Sequence, residues 1–246
     1  MRAWQTMMMG YGGRWEPPDN CLLWLSASQS GDVSISGTWA DNSGNGNNAT
    51  LVSNAYVTGT GTNRGLVVDG LGSSYASLGN CSDINITPSP VTVCVWAYTD
   101  SVIASGGIYS ILGMYDSTQE GYNLVFDTRS GGHWFLFYIR IGSLGNAGKR
   151  QKDYGSWSAQ TWYFLSVVFD TDLNTQLYWN GSPLGTLITD NDIIRAAGGD
   201  LNVRIGDRDG WGGVWPSGRL DGIMIFNSAL TSEEISDIYT NSPDAR

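Results

Sequence analysis

The chain has 246 residues, 41% apolar and 12% aromatic, with 33 glycines and only 7 prolines, which suits one large folded unit with a sizeable core and excludes a disordered chain. Its formal charge is -10, and its 13 Lys and Arg are scattered without a basic run, which excludes a phosphate-tracking nucleic-acid surface. Three cysteines, Cys21, Cys81 and Cys94, make no disulfide framework in a chain this long and show no metal-ligand spacing.

Residues 1–20 hold Trp4, Met7, Met8, Met9, Tyr11 and Trp15 among glycines, with neither alternation nor helical period. Large apolar groups in a solvated tail sit in water unless something covers them. The expectation is a docking arm, jointed at Pro17-Pro18, whose Trp4, Met8, Tyr11 and Trp15 meet other protein subunits; packing on the chain's own domain, residues 21–246, is the alternative. No long apolar core of a secretory signal is present at the start. The longest apolar run, Trp134 to Ile139, is far shorter than the ~20 residues that span a bilayer. A virion or extracellular location, reached without a signal peptide, is therefore expected, and no membrane span.

Leu22 to Leu25 reads as the first strand. Asp41 to Thr50, D-N-S-G-N-G-N-N-A-T, follows as a loop whose glycines allow left-handed backbone and whose Asp and Asn side chains bond their own turns. Acidic turns of this kind also suit Ca²⁺. Leu66 to Gly70 and Tyr75 to Leu78 are short strands about a glycine turn. Val91 to Tyr98 alternates with both faces largely apolar, as a strand central to a packed sandwich requires. Tyr109 to Met114, Tyr122 to Phe126 and His133 to Arg140 continue the meander, and Asn180-Gly181 is a type I′ hairpin signal.

Asp207 to Pro216, D-R-D-G-W-G-G-V-W-P, is a glycine-rich loop presenting two tryptophans. Trp faces stack on sugar rings and carboxylates accept sugar hydroxyls, so Asp207, Asp209, Trp211 and Trp215 form a candidate glycan site; folding back over the sheet end is the alternative. After the apolar strand Leu220 to Phe226, Thr231 and Glu234 make a capping box, Leu230 is placed to staple Ile235, and Ile235, Ile238 and Tyr239 form one apolar stripe. The fold class is all-β: a two-sheet antiparallel jelly-roll sandwich with one short C-terminal edge helix and an extended N-terminal arm.

The stretch R-L-D-G-I-M-I-F-N-S-A-L-T-S-E-E-I from Arg219, with Thr161 to Asp170, Leu177 to Gly181 and Leu201 to Gly206 in the expected order, resembles a laminin-G-like, concanavalin-A-like jelly-roll domain. The resemblance runs from about Leu22 to Tyr239. It implies that Asp41 of the first loop shares a structural Ca²⁺ with Asp221 of the closing strand, and that rim loops contact glycans.

Enzymes on this fold usually carry E-x-D-x-x-E or E-x-D-x-E on one strand, and that motif is missing. The glutamates are Glu16, Glu120, Glu233 and Glu234, and His133 is the single histidine, with no G-x-S-x-G elbow. The sequence therefore reads as non-catalytic: a structural or adhesive module, a surface subunit of a larger assembly such as a phage virion, with glycan binding. A stand-alone lectin is the alternative, and a glycoside hydrolase of the same fold ranks third.

Overall fold

The computed structural model describes residues 15–81, 84, 90–115, 121–129, 132–140, 149–172, 174–189, 202–207 and 213–246. In chain order the elements are β1 (Cys21–Leu25), α1 (Ala27–Ser30), β2 (Thr38–Trp39), β3 (Ala49–Val52), β4 (Tyr56–Thr58), β5 (Gly65–Val68), β6 (Tyr75–Asn80), β7 (Val91–Thr99) and β8 (Ile108–Tyr115). They continue with β9 (Gly121–Asp127), β10 (Trp134–Arg140), β11 (Lys149–Asp153), β12 (Tyr163–Phe169), β13 (Asn174–Trp179), β14 (Ser182–Pro183), β15 (Ile188–Thr189), β16 (Asn202–Ile205), β17 (Gly218–Phe226) and α2 (Ser232–Asn241).

Among the described residues, the strands pair into two antiparallel sheets. Nine strands run in the order β14, β13, β12, β7, β17, β5, β4, with β1 added on β17 and β15 on β13; eight run β11, β10, β9, β8, β16, β6, β3, β2. The order interleaves distant parts of the sequence, so β7 lies between β12 and β17. This is the sandwich the alternation predicts.

Why β7 is apolar on both faces is now clear. Val91, Val93, Val95 and Ala97 pack between the sheets with Leu124, Phe126, Phe135, Phe137 and Ile205. Cys94 and Trp96 point the other way, into a second core with Trp24, Phe164, Met224 and Phe226, which Ile235 and Ile238 of α2 close from outside. Fully burying an isoleucine of this kind contributes about 2 kcal/mol, so the helix is held by its stripe more than by its propensity.

The capping box forms as read: Glu234 N–H donates to Thr231 Oγ1 at 3.2 Å, and Thr231 N–H donates to Glu234 Oε2 at 2.8 Å. Leu230 N–H reaches the Thr92 hydroxyl at 3.0 Å, which ties the helix start to β7. The hairpin also forms as read, with Asn180 at φ 48 and Gly181 at φ 75 between β13 and β14. A Cβ on Gly181 would come within 2.8 Å of the Tyr239 ring, so helix packing excludes a side chain there as well.

Several elements were not expected. Strand β11 reads as no strand from its sequence, but it pairs with β10 and closes one edge of the eight-stranded sheet. Strands β2, β3 and β4 are too short to show a period, and α1 is a single turn whose start is capped by Ser26.

At Trp15 the chain packs on its own domain: the indole stands edge-on to Trp24 with centroids 5.4 Å apart, and its Nε1 donates to Asp237 Oδ2 at 3.3 Å. Trp4, Met8 and Tyr11 lie outside the described residues. Among the described residues, no helix is long and apolar enough to cross a membrane.

Candidate functional site on the outer face of the eight-stranded sheet

The inner positions of this sheet are apolar; the alternate positions, facing away from the sandwich, mix polar side chains with the buried Val125 and Leu136. Register sets Thr50, Ser77, Arg204, Gly113 and Asn123 side by side across β3, β6, β16, β8 and β9. Further along the same face, Ser110 lies opposite Val125, and Asp127 opposite Trp134 of β10.

Two stations of similar make-up result. In the first, Arg204 Nη1 is 2.8 Å from Asp207 Oδ2 while its guanidinium carbon lies 4.4 Å from the centroid of the Tyr75 ring. In the second, Asp127 accepts from both Nε (3.0 Å) and Nη2 (2.8 Å) of Arg129, a bidentate pair beside Trp134. A Cβ at Gly132 would strike the Trp134 indole nitrogen, so the glycine leaves room for the ring. Tyr75 and Trp134 are half-buried. They sit four strand steps apart, about 19 Å at ~4.8 Å per step.

Between the stations, Gly113 gives the floor no side chain. The Ser110 hydroxyl stands 2.8 Å from Asn123 Oδ1 and 3.3 Å from the Asp207 carbonyl, so its single proton is shared between two acceptors. Asn123 is 0% exposed, yet its Nδ2 has no hydrogen-bond partner. A buried unpaired donor costs about 1–3 kcal/mol and calls for an explanation.

The rim loop fares differently from its sequence reading. Trp215 is corrected from a sugar-stacking residue to a core residue: it is 0% exposed, lies 5.8 Å from Phe126 and from Trp157 between centroids, and donates its Nε1 proton to the Tyr98 carbonyl at 3.2 Å. The physical reason is its backbone N–H, which bonds the Gly206 carbonyl at 2.9 Å and turns the side chain in between the sheets. Asp207 is buried and belongs to the first station. Asp209 and Trp211 lie outside the described residues.

The residues expected to share a calcium do not fit one. Both Asp41 oxygens are taken by donors: Oδ1 by the N–H groups of Trp24 and Ser43, each at 2.9 Å, and Oδ2 by Asn47 N–H at 3.0 Å and the Ser43 hydroxyl at 2.8 Å. The loop is thus the self-bonded alternative, and its Asn45 and Asn47 amides also cap carbonyls of β1. Asp221 is buried; its Oδ1 accepts from Ala27 N–H at 2.8 Å and its Oδ2 from Arg246 Nη2 at 2.6 Å. Burial, then the charge of Asp244, pushes the Asp221 carboxyl up to about 6. Among the described residues, no group of three or more His, Cys, Asp or Glu could hold a metal.

Other chemistry finds little footing. The three cysteines form no disulfide, and burial pushes the thiols of Cys21 and Cys94 up to about 12, so neither is a nucleophile at neutral pH. His133 is exposed and borders the Tyr154 ring at 5.6 Å. A groove of about 630 Å³ along edge strand β4, lined by Val33, Ile35, Tyr56 and Thr58, offers one ring and the Asp32 carboxylate, which already accepts from Gly59 N–H at 2.6 Å.

Sequence reasoning missed Tyr75, Asn123, Trp134 and Arg204. Their signal was present as polar or aromatic residues at every second position of short strands, a pattern easily discounted when only the apolar half is followed.

A family model described as Concanavalin A-like lectin/glucanases superfamily matches residues 69–236. Among solved structures, domain 4 of AbnA, a GH43 extracellular arabinanase from Geobacillus stearothermophilus in complex with arabinotriose, is 15% identical with a TM-score of 0.65, covering 89% of this chain and 98% of that one. The receptor-binding domain of botulinum neurotoxin C/D mosaic serotype is 17% identical with a TM-score of 0.65, covering 90% of this chain and 51% of that one. A Trypanosoma rangeli sialidase is 20% identical with a TM-score of 0.59, covering 90% of this chain and 32% of that one. At such identities the likeness is one of fold. No curated protein sequence matches the chain.

Proposed function

We propose, from the premise that this chain belongs to the concanavalin A-like lectin/glucanase superfamily, that it is a non-catalytic carbohydrate-binding module holding an extended, neutral glycan across the outer face of its eight-stranded sheet. The observation that carries this reading is the pair of stations on one face, Tyr75 with Arg204–Asp207 and Trp134 with Arg129–Asp127. A ring supplies an apolar face, and a fixed arginine–aspartate pair supplies donors and acceptors to sugar hydroxyls without net charge. Their separation of about 19 Å suits a chain of several sugars better than a single one. The arabinotriose held by the arabinanase domain of like fold is in keeping with this class. The net charge of -10 disfavours a polyanionic glycan.

Binding is favoured over hydrolysis because glycoside cleavage needs an acid and a base or nucleophile placed about 5–10 Å apart across the scissile bond. Asp127 and Asp207 are each clasped by an arginine, and Glu233 and Glu234 begin α2. The reading as a particle subunit rests on the arm, residues 1–20, and Trp15 of that arm packs on its own domain, so the glycan reading takes precedence.

The test is retention on immobilised neutral polysaccharides, with soluble reducing ends assayed in parallel. Binding without release of sugar is expected. Sugar release that survives purification would make the chain a hydrolase, and no retention on any neutral polysaccharide would remove the proposal.

A further inference from the structure

One of the two carboxylates expected to share a calcium faces a different cation. We infer that Arg246 supplies, from within the chain, the positive charge that ties the turn before β5 and the segment after β1 to the closing strand, and that the domain folds without calcium for that reason.

Arg246 Nη2 lies 2.6 Å from Asp221 Oδ2 and 3.1 Å from the Arg64 backbone carbonyl. A carboxylate oxygen and a carbonyl oxygen are the ligand types that calcium takes, and here they converge on one guanidinium nitrogen. The guanidinium carbon lies 4.2 Å from the centroid of the Trp162 ring, a second site of attraction for a cation. The other oxygen of Asp221 accepts from Ala27 N–H, just beyond β1, so the carboxylate joins the chain's start to β17 with Arg246 as counter-ion.

The segment that carries Arg246 is itself pinned. Arg64 Nη2 donates to the Pro243 carbonyl at 2.7 Å, and Arg64 Nε stands 3.7 Å from Asp221 Oδ2. Asp244, 0% exposed, accepts from Trp24 Nε1 at 3.0 Å through Oδ2, and from the hydroxyls of Ser26 at 2.6 Å and Ser28 at 3.0 Å through Oδ1. Gly222, at φ 54, makes this approach possible, because a Cβ there would stand 2.9 Å from the Asp244 Cβ. Two carboxylates, Asp221 and Asp244, thus face two guanidiniums, Arg64 and Arg246, and the cluster is neutral. A divalent ion added to it would leave two uncompensated buried charges, a state far costlier than the closed network.

The experiment is thermal unfolding of the whole chain in millimolar calcium and in chelator, with Arg246→Ala and Arg246→Lys beside it. The native melting temperature should be the same in both solutions, and a rise with calcium would overturn the inference. Arg246→Ala should lower it by about 10 °C, as breaking a buried pair does in a chain of this size. Arg246→Lys, which keeps the charge, should lose less than half as much. If Ala does not fold, a folded Lys variant makes the same point; equal losses in the two would show that packing, not the cation, holds the site. None of these outcomes depends on the glycan reading.

Discussion

The two sheets present their outer faces in opposite ways. On the nine-stranded sheet, Cys94, Trp96, Phe164 and Met224 make an apolar floor that the chain roofs with α2, and the segment after it closes the neighbouring Asp221 network. On the eight-stranded sheet the equivalent positions carry Ser110, Asn123, Asp127 and Arg204, with half-buried rings at Tyr75 and Trp134. One face has been made into a second core; the other holds polar side chains, among them Asn123, whose amide nitrogen is buried without a hydrogen-bond partner. The same strand period therefore serves stability on one side and, in the proposed function, recognition on the other.

That contrast can be broken by substitution. The largest effect is expected at Trp215: alanine there removes a ring that is 0% exposed and should cost about 3–5 kcal/mol, whereas Trp134→Ala on the polar face should cost about 1 kcal/mol or less. Comparable losses in chemical unfolding would mean that the outer face is core as well.

A change of pH should separate the faces next. The Asp221 carboxyl is raised above its unfolded range, to about 6, so the folded state holds its proton more tightly than the unfolded chain does. Stability from this group is therefore gained as pH falls from about 6 towards 4, and lost on the way up. Subtracting the profile of Asp221→Asn should reveal that slope in the native chain. Asp244, Arg64 and Arg246 face the group, and a difference profile that rises with pH over this window would contradict the arrangement. The smallest effect is the helix cap: Thr231→Ala should cost about 1 kcal/mol in unfolding measurements while leaving glycan retention unchanged.

Features closed by near neighbours were legible in the sequence. The Thr231–Glu234 box and the Asn180-Gly181 turn depend on residues within one turn of chain, and both form as read. The double-sided β7 was legible too, although not that a helix covers its second face. What was not legible depends on distant partners. Nothing local distinguishes a Trp215 that stacks on sugar from one whose backbone is bonded to Gly206 and turned inward. Asp221 reads as a metal ligand until Arg246, 25 residues on, is placed against it. The polar face lay in between: its alternation is written in Tyr75-Ala76-Ser77 and Asn123-Leu124-Val125-Phe126-Asp127, but only pairing puts those strands on one surface.

The most direct test is calorimetric titration of a neutral polysaccharide into the native chain, Tyr75→Ala and Trp134→Ala, with melting temperature recorded on the same samples. Loss of one stacking ring, worth about 1 kcal/mol, should weaken binding by roughly fivefold to tenfold in either variant while melting stays within a few degrees of native. Native affinity retained in both variants, with folding intact, would contradict the account and place any glycan site elsewhere on the molecule.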